Sequence, residues 1–230
     1  MYEAQSAWQC WDMTTADGTG RGFYWFEVKS VSRRYIKPRY GRWLYHREGE
    51  IGPIGYLFLY REKLRGECRQ IIGPDVTPRA LLYPRNLWNT VDCVETRYDA
   101  RLAREIWIGL PHTVDRDNQS AMLSAFVKEY ITPLGFIADV SILRPSDEKR
   151  ADARNWRGYI MVTDRPVTAD GFTRQKRKES SSISVLLRWR EGWADVYNRH
   201  MEKLGKAERV DHRARRLVEG EAKKKRDAGA

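Results

Sequence analysis

The chain has 230 residues, 41% of them hydrophobic, with nine Trp and twelve Tyr, which is enough for one substantial domain with a real core and excludes a disordered chain. Forty-two Lys and Arg against 31 Asp and Glu leave a net charge of +11, which points to a polyanionic partner, most simply nucleic acid, because each neutralised phosphate releases counterions. Cys10, Cys68 and Cys93 show no CxxC pairing, no apolar run approaches membrane-spanning length, and "MYEAQSAWQCWDMTT" lacks both a basic start and an apolar core, so a disulfide scaffold, a membrane anchor and a secretory signal are not expected and the chain reads as cytoplasmic.

Residues 1–20 end in the small-residue stretch "TTADGTGRG" and read as a loosely attached leader. "FYWFEVKSV", from Phe23 to Val31, is dense in aromatic and β-branched residues and predicts the first long strand. The basic segment "SRRYIKPRYGRWLYHREGEIG" follows, with aromatics among its cations and a short helix expected over "RWLYHRE". Residues 52–85 read as irregular with short elements. From Asn86, "NLWNTVDCVETRYDARLARE" places Leu87, Val91, Val94 and Leu102 on helical spacings, and "REIWIGLP" then predicts a strand stopping at Pro111.

"DNQSAMLSAFVKEYITPLG" predicts a helix with Met122, Leu123, Phe126, Val127 and Tyr130 on one face, ended by Pro133 and Gly135. "FIADVSIL" and "GYIMVT" read as strands separated by a polar loop. After "RQKRKESSS", a long helix carries Leu186, Trp189, Trp193, Val196, Tyr197, Met201 and Leu204 at three- and four-residue steps, with serines before it to supply a cap. The whole reads as one α+β domain over residues 21–204, with a central, mainly antiparallel sheet and packed helices, and a basic tail over residues 205–230 that frays at its charged end.

The stretches "LWNTVDCVETRYDARLAREIWIGLP", "FVKEYITPLGFIADVSI" and "LLRWREGWADVYNRHMEKLGKAERVDHRA" together resemble the MobA/MobL family of plasmid relaxases. "LWNTVDCVETRYDARLAREIWIGLP" is similar to the family's "LWN…A…DA.LAREIEIALP", and "FVKEYITPLGFIADVSI" to its "FV.E.…G..ADVAIH". "LLRWREGWADVYNRHMEKLGKAERVDHRA" resembles the family's C-terminal "WREAWA…N..L…G….IDHRS". Order and spacing agree from about Phe23 to Arg216. The resemblance implies a tyrosine that attacks a DNA phosphodiester, helped by a divalent metal held on three histidines that polarises the phosphate. It makes Tyr45, in "YHREGE", the counterpart of the nucleophile, with Tyr35 and Tyr40 as nearby alternatives.

The metal pattern departs from the family. Where the family has "ADVAIH" and "NPHAHIMLTTR", this chain has "ADVSIL" and "NWRGYIMVTDR". The three histidine positions are therefore Leu143, Arg157 and Tyr159, none of them a suitable ligand near neutral pH. Trp107 replaces an acidic residue of the family's "EIE" strand, while Glu105 remains. His46, His112, His200 and His212 have no ligand spacing. No cofactor is expected.

Three readings follow from the resemblance. The first is a DNA-binding, nicking-deficient relaxase homologue that covers a transfer origin (a hairpin and adjacent single strand) or accompanies an active relaxase. The second is an active nicking enzyme using Tyr45, with a metal on Glu105 and Asp139 or with Arg157 and Arg165 in its place. The third is a protein-interaction subunit of a transfer complex. The expected DNA contacts are Arg33, Arg34, Lys37, Arg39 and Arg42 in the first basic segment, then Arg157 and Arg165, then Arg174, Lys176, Arg177 and Lys178.

Overall fold

The computed structural model describes residues 11–14, 21–32, 66–145, 153–177 and 182–213. Its centre is a five-stranded sheet of β3 (Phe26–Ser32), β4 (Gly66–Ile72), β5 (Arg101–Gly109), β6 (Ala138–Leu143) and β7 (Arg157–Thr163), in the order β3-β5-β7-β6-β4. Every neighbouring pair is antiparallel. Two small hairpins flank it. One joins β1 (Trp11–Thr14) to β2 (Arg21–Tyr24), and the other joins β8 (Val167–Thr168) to β9 (Gly171–Phe172). The stretch assigned to a leader thus contains a paired strand. The strand expected from Phe23 divides at Trp25 into β2 and β3.

Helices cover both faces of the sheet, so β5, β6 and β7 are buried almost throughout rather than alternating. On one face lie α2 (Arg116–Phe126) and α3 (Ile183–Lys203), which pack Phe126, Trp189, Trp193 and Tyr197 onto Ile106, Val140 and Ile160. Phe126 meets Phe26 and Trp193 edge-on, with ring centroids 6.2 and 5.8 Å apart, so one ring ties the edge strand to both helices. Gly158 lets α2 come this close: a Cβ there would sit 2.6 Å from Leu123 Cδ2. The other face is closed by α1 (Pro84–Val94), through Leu87, Trp88 and Val91, against Tyr159, Met161 and Leu143.

Local chemistry sets the helix ends. Pro84 opens α1 at a position where its missing N–H costs nothing. The Asp115 carboxylate accepts from the Asn118 backbone N–H at 2.8 Å and caps α2, and that bond holds its pKa below the usual carboxylate range. After Phe126 the chain widens into a π-turn over Val127–Ile131 and stops at Gly135, whose φ of 86° favours glycine. Ser182 caps α3 by accepting from the Val185 N–H, as the preceding serines suggested.

Three expectations are corrected. The helix begun at Pro84 ends at Val94, and Leu102 belongs to β5 rather than to the helical stripe. The segment read as irregular contains β4, whose register shifts between Glu67 and Gln70 around Cys68, a non-glycine residue at φ 50°. The domain also continues past residue 204. Val210 is buried in the core, Asn198 exchanges two hydrogen bonds with the Val210 backbone, Arg190 donates to the His212 carbonyl, and the Tyr197 hydroxyl donates to Glu208.

Candidate functional site

Leu143, Arg157 and Tyr159 come together on the α1-covered face. Leu143 and Arg157 are direct partners across β6 and β7. Tyr159 lies two residues along β7 from Arg157 and therefore shares its face. Each of the three is committed elsewhere. Leu143 is buried in the apolar cluster. The buried Tyr159 hydroxyl donates to Glu105 Oε1 at 2.8 Å, and its ring meets the edge of Trp107 with centroids 4.7 Å apart. The Arg157 guanidinium lies 4.1 Å over the Trp25 ring, and its Nε donates to Asn155 Oδ1 at 3.1 Å. Trp25 is in turn stacked on Trp107, at 6.3 Å and 21° between planes.

An alkyl chain, a guanidinium stacked on indole and a phenol donating to a carboxylate do not make a metal site. Glu105 and Asp139 do not supply one together. They sit in one register row with Met161 between them, which separates their backbones by about two strand spacings, ~10 Å. Glu105 accepts from Tyr159, and Asp139 accepts from the Trp88 indole N–H at 2.9 Å. Among the described residues, no three His, Cys, Asp or Glu side chains gather into a group able to hold an ion. His112 is exposed, His200 bonds the Val196 carbonyl on α3, and His212 lies in the C-terminal segment beside Asp211.

The basic loop behaves differently from its sequence. Lys176 turns inward, with Nζ 3.0 Å from Glu95, 2.9 Å from Asp164, and also donating to the Arg101 carbonyl. Arg165 donates to Glu95 at 2.6 Å and to the carbonyls of Thr173 and Arg174. Arg101 completes the cluster at 2.7 Å from Asp164. Arg104 lies 3.8 Å from Asp164, and burial, with Arg101 nearby, lowers its pKa to about 10. Lys176 and Arg165 are therefore braces for the loop rather than open phosphate contacts. Among its described residues, Arg174 and Arg177 are exposed. Tyr45, the alternatives Tyr35 and Tyr40, Arg33, Arg34, Lys37, Arg39, Arg42, His46 and Lys178 lie outside the described residues.

Trp25, and the Glu27–Lys29 pair at 2.9 Å beside it, belong to a stretch whose composition signals only a strand. Period-2 spacing of Trp25, Glu27 and Lys29 opposite Trp107 and Glu105 was the available signal.

The fold places this chain in a class before any family does. It is similar to a solved structure from work on the molecular basis of vancomycin resistance transfer in Staphylococcus aureus, with a TM-score of 0.62 and 21% identity, over 83% of this chain and 98% of that one. The model of the MobA/MobL family matches residues 54–224. The chain belongs to the MobA/MobL family, a relaxase family of conjugative transfer and mobilisation.

Two curated relatives agree. A probable conjugal transfer protein TraA of Sinorhizobium fredii (strain NBRC 101917 / NGR234) is 30% identical over 55% of this chain and 13% of its own length. A mobilization protein MobL of Acidithiobacillus ferridurans is 28% identical over 58% of this chain and 43% of its own. The chain thus spans less than half the length of these relatives. No described helix is long and apolar enough to cross a membrane.

Proposed function

We propose that this protein binds DNA of a transfer origin as a relaxase homologue and does not nick it by the metal-assisted route. The observation that carries the reading is the fate of the three former ligand positions: Leu143 packed in the core, Arg157 stacked on Trp25, Tyr159 bonded to Glu105. Leucine and arginine offer a metal no lone pair and a neutral phenol is a poor ligand near neutral pH, whereas the guanidinium suits a polyanion. Family membership and the net charge of +11 support DNA as the partner. In this reading the protein needs no cofactor, acts in the cytoplasm, and works beside an active relaxase or other transfer proteins.

The test is incubation with a supercoiled plasmid and with oligonucleotides from a cognate transfer region, with and without manganese. A mobility shift without a denaturation-resistant protein–DNA adduct is the expected result. An adduct that disappears in Tyr45→Phe would establish the nicking enzyme instead. Neither shift nor adduct would favour a protein-interaction subunit.

A further inference from the structure

Three side chains, from β7, β5 and the residue between β2 and β3, form one continuous stack on the site face: Arg157 over Trp25, and Trp25 beside Trp107. These two tryptophans differ from Trp88, Trp189 and Trp193, which are fully buried, because both are only half-buried. At 6.3 Å and 21° the indoles are offset, so neither covers the whole π-face of the other. The stack is also fixed in advance. Trp107 rests on the edge of Tyr159, Tyr159 is held by Glu105, and the guanidinium plane is held by Asn155.

The charge around the stack is suited to a polyanion. Glu27, opposite Trp107 in the register, is paired with Lys29 at 2.9 Å, and the buried Glu105 is occupied by Tyr159. Of the described carboxylates beside the stack, Glu27 is thus offset and Glu105 shielded, and Arg157 brings a cation to the Trp25 ring. Flat π-surface joined to a guanidinium is the chemistry that receives a nucleobase and its flanking phosphate.

We propose that Trp25, Trp107 and Arg157 form a seat for an unpaired base of single-stranded DNA. The proposal rests on the DNA-binding reading above and deepens it: the face that carries Arg157 and Tyr159 receives a base. Stacking supplies the contact with the base, and Arg157 supplies charge to the adjoining phosphate.

The test compares a short oligothymidine with an abasic oligonucleotide of equal length and charge, by fluorescence anisotropy and by quenching of tryptophan emission. The wild type should prefer the oligothymidine. Trp25→Ala and Trp107→Ala should each weaken oligothymidine binding by roughly 5- to 150-fold, the range of one lost base stack, and weaken abasic binding much less. Equal binding of both oligonucleotides by the wild type would overturn the seat while leaving DNA binding in place. Equal weakening of both by the folded alanine variants would also overturn it. No binding of either oligonucleotide would instead remove the DNA-binding reading itself. If the alanine variants do not fold, Trp25→Phe decides: it should keep the base preference and reduce the quench, and an unchanged quench counts against the seat.

Discussion

Leu143 and Arg157 stand opposite one another as the last residue of β6 and the first of β7. Directly paired positions on antiparallel strands hold their Cβ atoms about 4.5–5.5 Å apart, and Tyr159 adds a third position on the same face of β7. Side chains of the right kind there would converge.

The simultaneous changes Leu143→His, Arg157→His and Tyr159→His should therefore create a manganese or zinc site at these positions. Glu105 beside position 159 would orient a histidine there if it accepted one ring N–H, the usual way an outer carboxylate orients a ligand. Calorimetric titration should show no tight divalent ion for the parent and about one per chain for the triple variant. A folded triple variant that takes up no metal would mean that these are not the ligand positions.

Tyr159→Phe isolates the bond that now occupies the site. The hydroxyl donates to Glu105, which is 4% exposed, so removing it takes a donor from a buried carboxylate. The expected loss is about 1–3 kcal/mol, read as a lower urea midpoint with an unchanged slope. Glu105→Gln keeps an acceptor for the hydroxyl and should cost less. Equal stability of Tyr159→Phe and the parent would mean that this bond contributes nothing net.

Much of this geometry was legible in the sequence, for identifiable reasons. Strand β7 is rich in β-favouring residues, β6 carries Val140 and Ile142, and α3 keeps an unbroken helical stripe from Trp189 to Met201. The errors have physical causes. Leu102 mimicked helical spacing because β5 is buried on both faces and loses its alternation. β4 was hidden by the irregularity at Cys68. Lys176 and Arg165 read as open cations because their partner Glu95 lies about 70 residues away or more in sequence, beyond any local pattern. Trp25 gained meaning only when the register set it beside Arg157.

Acid sensitivity should include the C-terminal segment as well as the Asp115 cap. Burial alone would raise the Asp211 pKa, but hydrogen bonds and charge from Arg213 outweigh it and leave the pKa below the usual carboxylate value. A lowered folded-state pKa gives stability that is present above the unfolded value, near pH 4, and is lost as the pH falls through the folded value. Asp211→Asn should accordingly lower the urea midpoint at pH 7 and make little difference at pH 2. A difference that grew toward acid would reverse the assigned sign.

The basic loop yields the sharpest contrast, because its cations divide into inward and outward sets. Arg174 and Arg177 are exposed, whereas Lys176 bridges Glu95 and Asp164, which are 4% and 2% exposed. Each exposed cation that meets a phosphate contributes roughly 0.7–0.9 to the slope of log affinity against log salt. Arg174→Gln with Arg177→Gln should then flatten the slope by roughly 1.4–1.8 while leaving stability almost unchanged. Replacing Arg33, Arg34, Lys37, Arg39 and Arg42 by glutamine tests the first basic segment by the same measure. Lys176→Met should do the opposite. It removes a cation from two buried carboxylates that keep Arg165, Arg101 and Arg104 as partners, so the expected cost is about 1–3 kcal/mol of stability. Under conditions where the variant is folded, its salt slope should stay close to that of the parent. A slope that fell with Lys176→Met and held with the double arginine variant would mean that the inward lysine leaves its carboxylates to meet the DNA.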